Sequence, residues 1–304
     1  MRVSDGLITR SIIYRLNQTS SRLFRSQEQA ASGLRFTKPS EDPVGAVQAA
    51  ALRSSSREMA QYLQNIDTTS NRLKLTEVAV GQISDSLSQA RTVAVAATNS
   101  ALSDTDRSAL AAEVQQCIDD IARAANYHDG SRYLLSGQKV LTPPITTPTG
   151  TTITYAYAGD TADIDLQVGR QSTVTCNLNA AEVLNMNGTA DATLDDAFTS
   201  LQNLKTAIES NDTPSIQTGL TDVSSHLTRA TMLRGEIGAR LQRVESCRTR
   251  VDVAKSTADT SLGEVEGADL AQTVVDLQTN EVAYKAAAAA ANLVQRASLL
   301  DYLR

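Results

Sequence analysis

An apolar residue recurs at every seventh position over more than forty residues of this chain. The series runs through Leu52, Met59, Ile66, Leu73, Val80, Leu87 and Ala94. Seven residues make about two turns of an α-helix, so these side chains form one stripe along a single long helix. A stripe of that length has to be covered by other helices. The spacing therefore predicts a helical bundle or coiled coil.

Composition fits thin helical packing better than an enzyme built around a deep pocket. Apolar residues make up 41% of the 304 residues, but aromatics are only 4% and tryptophan is absent. The formal charge of −6 argues against a nucleic-acid partner, because phosphate backbones attract clustered Lys and Arg. We find no signal-peptide core and no apolar stretch of membrane-spanning length, so we expect no membrane insertion and no cleaved signal peptide.

The fold class predicted is mainly α, a long antiparallel bundle formed by both chain ends with a small β-rich insertion in the middle. A Lys-Pro-Ser-Glu-Asp-Pro stretch at 38–43 should end the first helix and cap the second, and Ser103 should cap a third that ends near Asn126. Short strands are expected at 151–157, 162–168 and 172–178. The predicted domains are terminal assembly helices (1–40 with 262–304), a helical body (41–139 with 191–261) and the insertion (140–190).

The two terminal helices carry weaker apolar patterns than the central ladder. One heptad position of the first helix holds Leu16, Leu23 and Ala30, and the other holds Ile13, Ser20, Gln27 and Leu34. The last helix places Leu270, Val274, Leu277, Tyr284, Ala288 and Ala291 on one face. Seams diluted in this way bury little area, so we expect both helices to be marginal alone and to become ordered against partners.

The formal charges of the two ends are opposite. Residues 1–36 hold six Arg against two acidic residues, whereas residues 259–304 hold seven acidic against three basic residues. The ends should attract one another, although each exposed pair contributes only about 0.2–1 kcal/mol. The alternative is that these charges form ordinary solvated faces.

Residues able to perform chemistry are few and scattered. We predict packing or surface roles for His128 and His226, and a solvated strand face for Asp163 and Asp165. The three cysteines are widely spaced and lack a CxxC motif, which favours small, partly buried thiols. No nucleotide-binding, hydrolase or metalloprotease motif occurs. We therefore predict no catalytic residue, no cofactor and no metal.

Motifs at both ends resemble the bacterial flagellin family. Residues 29–36 read Gln-Ala-Ala-Ser-Gly-Leu-Arg-Phe and residues 38–46 read Lys-Pro-Ser-Glu-Asp-Pro-Val-Gly-Ala, which is similar to the amino-terminal signature of that family. Gly-Ala-Arg-Leu-Gln-Arg at 238–243 and Ser-Leu-Leu-Asp-Tyr-Leu at 298–303 resemble its carboxy-terminal signatures. Three segments are similar to the branch of the family whose members join the hook to the filament. They are the two prolines of 38–43, the Ser-Arg-Tyr-Leu-Leu-Ser-Gly passage at 131–137 and the chain's ending.

The resemblance implies an extracellular structural subunit of the flagellum, exported unfolded through the flagellar secretion apparatus. The implied partners are further copies in a ring or short helical zone, the neighbouring hook-associated junction protein, flagellin and an export chaperone. As a hypothesis, the subunit contact is formed by apolar residues of the terminal helices. These are Ile13, Leu16, Leu23, Leu34, Leu270, Val274, Leu277, Tyr284, Leu299, Leu300, Tyr302 and Leu303.

Four alternatives stay open. The same leucines could pack within one monomer, in which case they would form a core. Filament flagellin is the closest functional alternative, because the helix at 87–99 is also similar to the corresponding flagellin segment. A different extracellular coiled-coil or adhesin module, or a soluble enzyme, would make the paired terminal motifs coincidental.

Overall fold

The computed structural model describes residues 2–99, 101–130, 132–146, 155–186 and 194–302, without the side chains of residues 2–6, 8, 9 and 293–302. Helices form most of the described chain, so the predicted mainly-α class is confirmed. Their bounds are α1 Arg2–Ser32, α2 Pro43–Ala97, α3 Asp104–Ala125, α4 Ala180–Val183, α5 Ala197–Glu209, α6 Thr213–Glu266 and α7 Leu270–Tyr302.

The described residues form three two-stranded antiparallel ladders, which lie between the long helices. The strands are β1 His128–Asp129, β2 Arg132–Tyr133, β3 Ile145–Thr146, β4 Ala156–Tyr157, β5 Asp165–Gly169 and β6 Ser172–Thr175. They pair as β1 with β2, β3 with β4, and β5 with β6. The hairpin predicted around residues 169 and 170 is confirmed, whereas the predicted strand at 151–157 is seen only at β4, since 151–154 lie outside the described residues.

The chain divides into two compact units. Unit 1 comprises residues 1–58 and 254–304, and unit 2 comprises residues 59–253. Helices α2 and α6 contribute residues to both. The predicted domain boundaries at 40/41 and 261/262 concern independent folding and assembly, and they stay a prediction.

The ladder helix forms the centre of the core of unit 2. Ile66, Leu73, Val80, Leu87 and Ala94 are completely buried, whereas Leu52 and Met59 are half-buried. Apolar residues of α3, α5 and α6 complete the same core. Complete burial of one large aliphatic side chain contributes about 1.5–3 kcal/mol, so this stripe is a main source of stability for unit 2.

The predicted start and end of α3 are confirmed. Ser103 accepts a hydrogen bond from the Asp106 amide while Asp106 accepts from that of Ser103, which is a complete capping box. Asn126 caps the carboxyl end. Gln89 of α2 hydrogen-bonds to Glu113 of α3. The two residues are nearly equidistant from the turn between the helices, so α3 runs antiparallel to the ladder.

The described part of the β-rich insertion packs onto the helices of unit 2. Tyr155 stacks on Phe198 of α5, with ring centroids 4.2 Å apart. Asn65 of α2 donates to the Gln167 carbonyl oxygen at 2.8 Å. Val168 and Val174, on paired strands, point into the core. Alternation along β5 and β6 thus gives the hairpin one buried and one solvated face.

Candidate assembly surface

The terminal helices α1 and α7 pack together along a heptad seam in unit 1. Most of the less exposed positions alternate by three and four residues on each helix, which is the repeat of a coiled coil. They are Ile12, Leu16, Thr19, Leu23, Ser26 and Ala30 on α1, and Thr273, Leu277, Asn280, Tyr284, Ala287 and Ala291 on α7.

Polar residues inside this seam fix its register. Asn280 donates a hydrogen bond to the Ser26 hydroxyl at 2.8 Å. Nearer the other end, Leu34 and Gly267 form an antiparallel bridge. The residue number rises from 26 to 34 on one side while it falls from 280 to 267 on the other, so the helices are antiparallel. A buried polar pair specifies register while contributing less area than two leucines would.

The segment between α1 and α2 is bonded to the segment between α6 and α7 in unit 1. Gly33 has φ of +68°, a left-handed conformation that ends α1. Its carbonyl oxygen accepts from the Ala268 amide at 2.9 Å, and the Arg35 amide donates to the Glu266 carbonyl oxygen at 2.7 Å. Arg53 pairs with the buried Glu266 carboxylate at 2.7 Å. These bonds therefore join the N-terminal and C-terminal parts of unit 1 between the terminal helices and the rest of the chain.

The two acidic residues between the prolines have different roles, and only Asp42 caps the second helix as predicted. Asp42 accepts from the Gly45 amide at 2.9 Å and so caps α2. Its other oxygen pairs with Arg35, also at 2.9 Å. Glu41 accepts from the Thr37 amide at 3.1 Å, and this hydrogen bond lowers the pKa of the Glu41 carboxyl group.

Unit 1 keeps a set of large apolar side chains in solvent, outside the seam. They are Leu7, Ile13, Tyr14 and Phe24 on α1, Val44 and Val47 at the start of α2, and Leu270, Val274, Val275 and Val282 on α7. Several apolar residues exposed together on one small bundle are typical of a protein interaction surface.

The hypothesised contact residues fall into two groups. Leu16, Leu23, Leu277 and Tyr284 are half-buried in the seam, and Leu34 is half-buried at the bridge to Gly267. Ile13 is 50% exposed, Leu270 56% and Val274 47%, so these three remain available to another molecule. The side chains of Leu299, Leu300 and Tyr302, and all of Leu303, lie outside the described residues. The role of all twelve in subunit contact stays a prediction.

The sequence pattern misplaced one heptad position of each terminal helix. Thr19 and Ser26 occupy the seam where we expected Ser20 and Gln27, and Thr273 and Asn280 occupy it on α7. Polar residues at these positions hid the repeat, because apolar spacing was the signal used. The sequence pattern also missed four exposed apolar residues, Tyr14, Phe24, Val275 and Val282. They are apolar but fall outside the heptad positions of the seam, and that mismatch could have identified them.

The residues considered for chemistry lie in the core of unit 2 or at exposed positions in or near short strands. His226 of α6 is completely buried, and its Nε2 lies 3.2 Å from the Ser200 hydroxyl on α5. Burial lowers the pKa of His226 to about 4, against the opposite effect of nearby Asp196. His128 is exposed beside the Tyr133 ring. Asp165 is exposed on its strand and accepts from Thr175 at 2.7 Å.

The three cysteines are buried and free. Burial raises the pKa of the Cys117 thiol to about 11 and also raises that of Cys176. Within the described ranges no group of three or more His, Cys, Asp or Glu residues could hold a metal ion. No helix among those residues combines the length and apolarity needed to cross a membrane.

Known proteins with the same arrangement belong to the flagellum. Over 61% of its length the chain is 28% identical to flagellar hook-associated protein 3 of Salmonella typhimurium, covering 57% of that protein. It is 25% identical to the Escherichia coli protein of the same name, over 81% of this chain and 82% of that one. A flagellin of Clostridium tyrobutyricum is 28% identical over 46% of this chain, covering 37% of that protein.

The fold is similar to that of a flagellar hook-associated protein from Vibrio parahaemolyticus. The TM-score is 0.67 at 22% identity, covering 75% of this chain and all of that structure. The bacterial flagellin N-terminal helical region matches residues 4–140, and the C-terminal helical region matches residues 220–303. Both matches fall on the paired helical ends and the helical body, and together they cover more than two thirds of the sequence: the chain belongs to the bacterial flagellin family.

Proposed function

We propose that this protein is a structural subunit of the bacterial flagellum that joins the hook to the filament. The relatives named flagellar hook-associated protein 3 align over a larger share of their own length than the flagellin does. The proposal assigns no catalytic role. Its partners would be further copies of the chain in a ring or short helical zone, the neighbouring hook-associated junction protein on one side and flagellin on the other.

The observation that carries the proposal is the exposed apolar surface of unit 1. The α1–α7 seam buries one face of each helix, yet Tyr14 and Phe24 on α1 and Val275 and Val282 on α7 remain in solvent. Val275 and Val282 are seven residues apart, so they share a face that the seam does not use. Apolar area of this kind is stabilised when a second molecule covers it.

The polar seam supports export before assembly. Thr19 and Ser26 on α1 and Thr273 and Asn280 on α7 replace apolar residues at half of the central seam positions. The helix pair therefore gains little from burial inside one monomer and should open easily. We propose that the chain passes unfolded through the secretion apparatus, with an export chaperone covering its ends, and reaches the outside without a cleaved signal peptide.

We also propose that different parts of the chain have different roles. The terminal helices, 1–40 and 262–304, would form the subunit contacts, while 41–139 with 191–261 would hold the monomer together and carry the insertion at 140–190. Limited proteolysis and circular dichroism of the dilute full chain test this proposal. We expect cleavage within α1 and α7 well before unit 2 is attacked. Termini that resist protease as strongly as unit 2 would contradict it.

Deletion of the gene in its own bacterium separates the junction role from the filament role. Hook-bearing cells that secrete flagellin monomers would support the junction role. Loss of the bulk filament protein itself would identify filament flagellin, which remains the second candidate because flagellins also match this chain. Normal filaments on the deletion strain would refute both.

Two matched variants connect the proposal to the exposed surface. Phe24 of α1 is 67% exposed, and Leu141 in unit 2 is 75% exposed. Both Phe24→Asp and Leu141→Asp should leave the monomer folded, because neither side chain is buried. When each is returned to the deletion strain, we expect Phe24→Asp to be secreted but to leave cells without filaments, and Leu141→Asp to restore them. Equal filament growth with both variants would contradict assembly through this surface.

A further inference from the structure

Two arginines of α1 form a basic pair that no carboxylate among the described side chains neutralises. Arg15 and Arg22 are exposed and seven residues apart, so they lie on one side of the helix about two turns apart. Among the described side chains, neither forms a salt bridge with a carboxylate. By contrast, Arg25, Arg35 and Arg53 each pair with an acidic residue of unit 1.

Two aspartates at the start of α7, Asp269 just before its first residue and Asp276 within it, have the same spacing and the opposite charge. Asp269 and Asp276 are exposed and also seven residues apart. Asp269 caps the helix by accepting from the Ala271 amide at 3.0 Å, and Asp276 accepts from the Gln272 side chain at 2.9 Å. Neither has a Lys or Arg partner among the described side chains, whereas Glu281 is paired with Lys285 at 2.6 Å.

The register of the seam keeps the two pairs apart within one copy. Ser26 lies opposite Asn280, and Leu34 lies opposite Gly267. In an antiparallel pair with that register, Arg15 and Arg22 lie towards the chain termini, while Asp269 and Asp276 lie near the bridge between Leu34 and Gly267. At about 1.5 Å per residue, the centres of the two pairs are separated by roughly 20 Å along the axis.

We infer that Arg15 and Arg22 of one copy pair with Asp269 and Asp276 of a neighbouring copy that is shifted along the helix axis. The inference rests on the proposed assembly through the terminal helices and adds which charged side chains meet. Copies aligned without a shift would place like charges at the same level. A shift of about 20 Å brings the two arginines of one copy level with the two aspartates of the next, which have the same spacing and the opposite charge.

Reversal of one charge at a time tests the pairing in the full chain. The variants are Arg22→Glu and Asp276→Arg, with Lys74→Glu, an exposed lysine of unit 2, as the matched control. Sedimentation velocity and light scattering measure the concentration at which each protein associates. We expect each of the first two variants to require about five- to tenfold more protein than the wild type. The control should behave like the wild type, and added salt should weaken wild-type association.

Mixing the two variants gives the decisive result. Glu at position 22 of one copy then faces Arg at position 276 of the other, and the native pair forms at the next contact. Association should return to within about threefold of the wild type in the mixture, and also in the Arg22→Glu/Asp276→Arg double variant. Failure of the mixture to recover would overturn the inference and indicate that a different protein faces the arginines.

A wild-type chain that stays monomeric up to about millimolar concentration would also overturn the inference. That outcome leaves the proposed function standing, because the gene deletion decides it independently. Circular dichroism of each variant checks the fold. Variants with wild-type helical content and unchanged association would equally refute the pairing.

Discussion

Acid should destabilise unit 2 through a single histidine. His226 is completely buried between α5 and α6, and its Nε2 has the Ser200 hydroxyl at 3.2 Å. Its Nδ1 has no hydrogen-bond partner within the described structure. The charged groups facing it are Asp195 and Asp196, which favour the protonated ring, and Arg229, which opposes it; burial outweighs all three.

The size of the effect follows from the pKa. Folding lowers the pKa of His226 from 6.5 to about 4. One pKa unit corresponds to about 1.4 kcal/mol, so protonation in the folded state costs about 3 kcal/mol more than in the unfolded chain. Well above pH 6.5 the ring is unprotonated in both the folded and the unfolded state. Between that pH and about 4 the unfolded state binds more protons, so the free energy of unfolding falls as the pH is lowered.

Urea denaturation followed by circular dichroism measures this loss, since the chain has no tryptophan. We expect the wild type to lose about 3 kcal/mol more than His226→Gln as the pH is lowered from about 7 to about 4. The carboxylates titrate in both proteins, so they cancel in the comparison. His128→Gln, at an exposed site, is the matched control and should follow the wild type. Parallel curves for the wild type and His226→Gln would refute the reasoning.

Three further tests follow from burial and backbone conformation. Ile66→Asp should unfold the monomer because it buries a charge in the core of unit 2. Leu277→Asp, at a half-buried seam position, should leave unit 2 folded and block assembly. Collapse of the whole protein by Leu277→Asp, seen by circular dichroism, would contradict this distinction between core and interface. Gly33→Ala should destabilise the turn after α1 in unit 1 by about 1–2 kcal/mol, because φ at this residue is +68°. We expect faster proteolysis of α1 than in the wild type. The three buried cysteines should resist an aromatic disulfide reagent until denaturant is added. Cys117 is further protected because its thiol pKa is about 11. Rapid labelling of the native chain would contradict this prediction.

The sequence predicted the parts of the fold in which apolar spacing and capping agree. Ile66, Leu73, Val80 and Leu87 repeat without interruption, and each is completely buried. Ser103 at the start of α3 was recognised because its hydroxyl and the acid three residues later form a known cap. Local chemistry of this kind does not depend on which distant segment packs against it.

The α1–α7 seam could be predicted only in part, because polar residues occupy half of its central positions. A Ser or Asn at a heptad position gives no apolar signal, and only the position of the partner helix shows that Ser26 faces Asn280. Arg15 and Arg22, which lack a carboxylate partner among the described side chains, could not be identified for the same reason. Opposite net charge at the two ends suggested that α1 and α7 attract each other, and the helices do pack together, yet Arg15 and Arg22 have no acidic partner among the described side chains.

Under the proposed function, the polar seam and the unpaired charges have one physical explanation. A leucine-rich α1–α7 seam would stabilise the terminal helices in the monomer and oppose their unfolding before export. A seam containing Ser26 and Asn280 still fixes one register but contributes less burial, so the monomer stays marginal. Neighbouring copies then supply the missing stability by covering exposed residues such as Tyr14 and Phe24 and by pairing the arginines of α1. Replacing Ser26 and Asn280 together with Leu should therefore slow secretion while making α1 and α7 more resistant to protease.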